Sequence, residues 1–206
     1  MRGSTSIPQY IYPWLNLEGD LKRDSREGLS CVGYGSLVNR ASAARTLSRE
    51  WKAVVIAFGV RRVFNLFMED AGLKRYSSPT NPRARAALNV ISTGQSHDAV
   101  NGVLFDVGIA DIPAFRTREI GYDLIPVACM DWTRRDAPPF TSYILACPNE
   151  PRDGKIRTSR DIEPHVEYYQ LCRAGAAALG DEFLKFWLAT TFLADGVTSV
   201  ATWEQR

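Results

Sequence analysis

Between residues 29 and 147 the apolar positions fall in short blocks separated by Gly, Pro, Asn and Ser. Leu29-Ser-Cys-Val32 predicts a short strand that runs straight into Gly33-Tyr34-Gly35-Ser36. Ala53–Phe58 and Val60–Phe67 are rich in β-branched and aromatic residues and are divided by Gly59, which predicts two more strands. In the second, Val63, Asn65 and Phe67 alternate with Arg62, Phe64 and Leu66, the mixed pattern of a half-buried strand. Residues 70–82 collect Gly, Ser, Pro and Asn and read as a loop. Ala86–Ile91 and Val100–Val107 continue the strand series on either side of a turn at Thr93–Asp98.

The period then changes. Ile109, Ile112 and Phe115 recur at spacing three behind a candidate N-cap at Asp111, and Pro113 is tolerated in a first turn. This helix should stop before Gly121, a residue suited to a left-handed C-terminal cap. Tyr122–Met130 and Phe140–Cys147 return to strand character around Ala137-Pro138-Pro139. Beyond residue 150, Val166, Tyr169, Cys172 and Ala176, then Phe183, Phe186, Trp187 and Thr190, follow helical spacing. Gly180 should end the first helix and Asp181 begin the second. The expected class is α+β: a mixed or antiparallel sheet curled into a small β-barrel, with helices packed outside. Strands do not alternate with regular helices, so a doubly wound parallel sheet is not expected. Residues 1–28 differ, mixing aromatics with Pro8 and Pro13 before a charged stretch, and read as an N-terminal arm. Residues 29–206 then form a single domain, with its C-terminal helices at about 160–195.

Composition narrows the class without naming a chemistry. A chain of 206 residues suits one domain, and 45% hydrophobic with 23% charged residues argues against global disorder. The net charge of +2 is too small to advertise a nucleic acid or an anionic membrane. No apolar run approaches the roughly 18 residues of a bilayer span. Cys31, Cys129, Cys147 and Cys172 lack the spacing of a zinc knuckle or redox dithiol, and His97 and His165 stand apart, so no metal site is expected. The thiols read as buried and reduced. With neither a secretory apolar region nor an Asn-x-Ser/Thr acceptor, a cytoplasmic location is expected.

Two local features can carry chemistry. In Gly33-Tyr34-Gly35-Ser36-Leu37 the glycines permit close backbone approach and positive φ, so consecutive amides can face one anion. Taken alone, the same composition describes any tight strand-ending turn. It lacks the third glycine of a dinucleotide fingerprint and the Gly-Lys-Ser/Thr of a phosphate loop. The second feature is Arg118-Glu119, followed by Gly121 and Tyr122, at a helix-to-strand junction. Partial burial there would raise the Glu119 pKa toward the range useful for acid/base work near neutrality. Taken alone, a solvated ion pair at a helix end fits as well.

Together the two features resemble the γ-glutamylcyclotransferase-like superfamily. The resemblance rests on the Tyr34-Gly35-Ser36-Leu37 turn after the first core strand and on Arg118-Glu119-x-x-Tyr122 after Asn101-Gly-Val-Leu-Phe105. It spans roughly residues 30–147, and the helical tail through Tyr168, Gly175, Gly180, Phe183 and Thr190 is more weakly similar to members that degrade glutathione. The resemblance implies a small barrel with flanking helices. It implies a γ-glutamyl pocket lined by Tyr34, Gly35, Ser36 and Leu37, with Glu119 as the catalytic acid/base and Tyr122 shaping the pocket. It also implies release of 5-oxoproline from a γ-glutamyl dipeptide, glutathione or a γ-glutamylamine, with no metal or organic cofactor.

The chain departs from that pattern in its next strand. The family's Gly-Tyr-x-x-x-Phe is replaced by Phe58-Gly-Val-Arg-Arg-Val-Phe-Asn65. One of Arg61 and Arg62 should face water, and Arg62 and Asn65 are candidates for binding a second carboxylate. Tyr143 is expected in the core. A non-catalytic binding or regulatory module on the same scaffold is the alternative reading. A nucleic-acid binder, resting on Arg83, Arg85, Arg134, Arg135, Arg152 and Arg157, comes last, because acidic residues stand beside these arginines.

Overall fold

A computed structural model of the chain describes residues 28–206 apart from 49, 120 and 150–154. The arm expected over 1–28 thus lies outside the described residues except for Gly28, the first residue of β1 (Gly28–Gly33). A 3-10 turn at Ser36–Val38 and the short helix α1 (Arg40–Ala43) follow, the helix capped by the Asn39 side chain, which accepts the Ser42 amide at 3.1 Å. After β2 (Ala53–Phe58) the chain reverses at Gly59 (φ 77°), a left-handed residue, into β3 (Val60–Phe67). The expected loop at 70–82 contains one helical turn, α2 (Asp70–Leu73), before β4 (Ala86–Ser92). β5 (Ala99–Gly108), α3 (Ile112–Arg118), β6 (Asp123–Asp131) and β7 (Phe140–Ala146) complete the first part. The tail is α4 (Val166–Ala177), α5 (Asp181–Ala189), the two-residue β8 (Thr191–Phe192) and α6 (Val200–Trp203).

Five strands close a barrel in the order β1-β5-β2-β6-β7. Every pairing is antiparallel except the closing one, where β1 and β7 run parallel with Cys31 opposite Tyr143 and Val32 opposite Ile144. The fold is therefore α+β with a mixed barrel, as the apolar blocks predict. The strands, however, divide between two sheets. β3 and β4 leave the barrel after Gly59 and join β8 in a separate sheet of order β4-β3-β8, with β8 parallel to β3. The expectation of a half-buried β3 is corrected by this arrangement. Residues 62–66 are all buried, because the strand lies between the barrel and the C-terminal helices; Phe64 meets Tyr168 and Tyr169 edge-on at 6.4 and 6.0 Å.

The helix signals hold with one change. Gly121 takes the positive φ (94°) expected of a left-handed cap, and Gly180, also at positive φ (108°), separates the two helices as expected, with Asp181 beginning α5. Asp111 occupies the N-cap position of α3, but its carboxylate accepts the Ser48 hydroxyl at 2.7 Å and caps no amide. Phe115 seats α3 on the barrel through Phe105, with ring centroids 5.8 Å apart. All four cysteines are buried free thiols, and Tyr143 packs half-buried against the core. No helix among the described residues is long and apolar enough to cross a membrane.

Topology fixes where a site can form. Parallel pairing puts the C-terminal ends of β1 and β7 at the same end of the barrel. Antiparallel pairing of β6 with β7 (Asp123 opposite Ala146) brings the start of β6 to that end as well. The turn after Gly33 and the junction before Asp123 are therefore neighbours, although about eighty residues separate them.

Candidate active site

Two adjoining spaces lie at this end. A small chamber of about 20 Å³ is bounded by Gly33–Leu37, Leu88, Glu119, Tyr122, Leu145 and Tyr168. Ser36, Glu119, Tyr122 and Tyr168 also line an open crevice of about 370 Å³, whose other walls include Leu66, Met68, Arg75, Tyr76, Ala87 and Arg157. The structure thus brings together Tyr34, Gly35, Ser36, Leu37, Glu119 and Tyr122.

The turn is held from several sides. Tyr34 donates its hydroxyl to the Leu145 carbonyl at 2.7 Å, so its ring is a strut of the barrel rim. Gly35 has φ −108°, so the positive φ allowed for this turn is not used. Glycine is required there for space. A Cβ at Gly35 would stand 2.8 Å from the Tyr168 hydroxyl, and one at Gly33 would stand 2.7 Å from the Leu37 Cβ. The helical tail presses on the same segment at Gly175, where a Cβ would meet Val38 and Asn39 backbone at 2.7 Å. The amides of Gly35, Ser36 and Leu37 make no backbone hydrogen bond among the described residues, whereas Val38 N donates to Gly35 O at 3.0 Å.

Glu119 sits at the C-terminal cap of α3, its side chain only 11% exposed. Arg118, 9% exposed, donates Nε to Glu119 Oε1 at 2.9 Å. Its Nη1 reaches Ser42 O at 2.6 Å and Thr46 Oγ1 at 3.2 Å, and its Nη2 reaches Ser36 Oγ and Ser42 Oγ, both at 3.0 Å. All five guanidinium hydrogens are committed, so Arg118 ties the carboxylate to the turn. Burial raises the Glu119 carboxyl above its ordinary pKa; Arg118, by charge and hydrogen bond, and Arg75, by charge, pull it back only in part. Burial likewise holds the phenols of Tyr34, Tyr122 and Tyr168 well above their ordinary range, so all three stay neutral. Tyr122 donates its hydroxyl to the Leu88 carbonyl.

The remaining candidates lie elsewhere. Arg62 is fully buried beneath the turn and lines neither space, so it cannot offer a bidentate face to a substrate carboxylate. Its Nε donates to Thr191 Oγ1 at 2.7 Å, and its terminal nitrogens reach Asn101 O, Asn101 Oδ1, Tyr34 O, Trp187 O and Thr190 Oγ1 at 2.8–3.4 Å. Asn65 lines a separate cavity of about 340 Å³ with Val63, Ile91, Thr158 and Ser159. The pleat explains the split, since Leu66 faces the crevice and its neighbour Asn65 the opposite side. Arg61, the more exposed of the two arginines, does not stand free in water as the sequence predicts for one of them but pairs with Asp98 at 2.8 Å. Among the arginines weighed for nucleic acid, Arg83, Arg85, Arg134 and Arg157 pair with acidic side chains, Arg135 stacks on Trp132, and Arg152 lies outside the described residues. Sequence reasoning missed Tyr168, Arg75, Tyr76 and Leu88 as lining residues. No local signal marks them, because each comes from an element remote in sequence from both motifs.

No protein-family model matches the sequence, and no curated protein matches it. Solved structures do. One described as gamma-glutamyl cyclotransferase is 14% identical, with a TM-score of 0.58 over 80% of this chain and 88% of its own. An uncharacterized protein from Homo sapiens is 15% identical, with a TM-score of 0.56 over 80% of this chain and 89% of its own. YkqA from Bacillus subtilis is 14% identical, with a TM-score of 0.56; the match covers 82% of this chain and 56% of YkqA. At such identities the likeness lies in the backbone alone: this chain has the γ-glutamyl cyclotransferase-like fold.

Proposed function

We propose that the chain is a γ-glutamyl cyclotransferase that releases 5-oxoproline from a γ-glutamyl amide, with Glu119 as its acid/base. The observation that carries this reading is a nearly buried carboxylate lining the same chamber as a turn whose Gly35, Ser36 and Leu37 amides make no backbone hydrogen bond among the described residues, at the barrel end where the two motifs converge.

The substrate's γ-glutamyl head sits against the turn, its α-carboxylate on the amides of Gly35, Ser36 and Leu37. Ser36 and Tyr122 border the head, and the leaving amine extends into the crevice along Leu66, Met68 and Tyr76. Glu119, as carboxylate, takes a proton from the substrate ammonium. The freed amine attacks the γ-carbonyl carbon, forming the C–N bond of the five-membered lactam. Attack is intramolecular, so the site's task is to hold one folded conformer. The C–N bond to the leaving group then breaks as Glu119 returns its proton to the departing nitrogen, and the second proton of the attacking nitrogen passes to the released amine, which leaves as an ammonium beside the neutral lactam. The raised proton affinity of Glu119 suits both transfers, and Arg118 keeps the carboxylate in place between them.

The test is incubation with γ-glutamyl dipeptides, glutathione and a γ-glutamylamine, with 5-oxoproline as the readout. Wild type should form it, and Glu119→Gln should be slower by about 10²–10⁴-fold. A wild type that binds these compounds without product would instead favour a non-catalytic module on the same fold.

A further inference from the structure

The uncommitted amides need an orientation, and the barrel does not supply it for the first of them. The carbonyl of Tyr34 points away from the chamber into the packed layer between barrel and tail. Two donors converge on it there, Arg62 Nη1 and Trp187 Nε1, each at 3.3 Å. In a trans peptide the N–H points opposite the C=O, so fastening Tyr34 O from behind aims Gly35 N–H forward into the chamber. Both donors are fully buried and fixed in turn. The Arg62 guanidinium lies over the Trp187 ring at 4.9 Å and is anchored by Asn101 of β5 and Thr191 of β8. Trp187 belongs to α5, in the tail.

We propose that Arg62 and Trp187 are positioning residues, which lock the Tyr34–Gly35 peptide plane so that Gly35 N–H faces the substrate carboxylate, and that α5 is thereby a working part of the site. The inference rests on the cyclotransferase reading for its kinetic consequence, but the locked peptide itself can be observed without substrate.

Trp187→Phe removes the indole donor and keeps an aromatic ring. Phe183→Leu alters the same helix at a buried position that donates nothing to Tyr34 O, and serves as the packing control. A fixed amide that holds the carboxylate equally in ground and transition states acts on KM. Trp187→Phe should raise KM for a γ-glutamyl dipeptide by about 5–20-fold, the loss of one charge-assisted hydrogen bond, with kcat within about twofold. Phe183→Leu should leave KM unchanged. Equal KM shifts in the two variants, or none in Trp187→Phe, would overturn the assignment. If wild type forms no 5-oxoproline, the cyclotransferase reading fails by itself, and the amide nitrogen–proton spectrum of the free protein decides the positioning. Gly35 and Ser36 resonances displaced in Trp187→Phe and not in Phe183→Leu support the lock; unmoved resonances sink it.

Discussion

Arg62 and Arg118 grip the same turn from opposite sides and solve opposite problems. Arg118 reaches Ser36 Oγ from α3 and carries a carboxylate partner, Glu119. Arg62 reaches Tyr34 O from β3 and is surrounded by neutral acceptors only. Burial without a counter-ion pushes the Arg62 guanidinium down to about 9, still high enough to remain a cation at neutral pH. One arginine is thus coupled to a group that changes charge, whereas the other is an inert, costly fastener. The site needs both. A proton-transfer carboxylate benefits from an adjustable partner, while the Tyr34 carbonyl benefits from a donor that keeps its charge at neutral pH.

Substitutions at the two positions should therefore fail in different ways. Loss of the carboxylate in Glu119→Gln is the largest kinetic effect expected, and it should leave the melting temperature within a few degrees. Next comes Arg62→Met, which orphans buried acceptors and should cost about 2–4 kcal/mol in urea unfolding. Arg118→Met, at the edge of the crevice, should cost less, about 1–3 kcal/mol. The pH profile separates the pair more sharply. Glu119 must be ionised to accept a proton, and its folded pKa already lies above the ordinary value. Removing Arg118 raises it further, so the acid limb of kcat/KM should move to higher pH, while Arg62→Met leaves the limb in place. A limb that moves in Arg62→Met, or stays in Arg118→Met, would erase the distinction.

Stability carries the same signature with the sign reversed from a surface carboxylate. Between its ordinary and raised pKa values Glu119 holds more proton in the native state than in the unfolded one. Its contribution is fully present below the ordinary carboxylate range and is lost as pH rises through the folded pKa. Gly35→Ala tests the turn between the two arginines. The new Cβ is crowded by the Tyr168 hydroxyl alone, with Leu88 at ordinary contact distance, so KM should rise several-fold, with about 1 kcal/mol of stability lost, and Tyr168→Phe should restore part of both. The smallest effect belongs to Arg61→Gln. In its pair with Asp98, Arg61 is about one-third exposed and Asp98 is buried; losing the pair should cost about 1 kcal/mol, and kinetics should not change.

The barrel strands were legible because barrel interiors impose alternation and apolar content on each strand locally. The division into two sheets was not, because the reversal at Gly59 and the two-residue β8 leave no periodic trace. At the site, the turn and the Arg118-Glu119 pair could be picked out as local strings, but their geometry could not. Gly35 proved necessary for the approach of Tyr168, a residue of the distant tail, rather than for positive φ. In the sequence Arg62 looks like a ligand-binding arginine, because its acceptors come from positions 34, 101, 187, 190 and 191, which no window along the chain brings together.

The parallel pairing of β1 with β7 has a kinetic consequence. It joins Cys31 to Tyr143 and Val32 to Ile144, among the most distant strand contacts in the barrel, and the entropy of closing so long a loop precedes any reward from the contact. Until that seam closes, the turn and Glu119 belong to separate pieces of structure. During refolding, helical signal should therefore return before the chamber exists, and the capacity to bind a ligand should emerge only with the final stitch of the barrel.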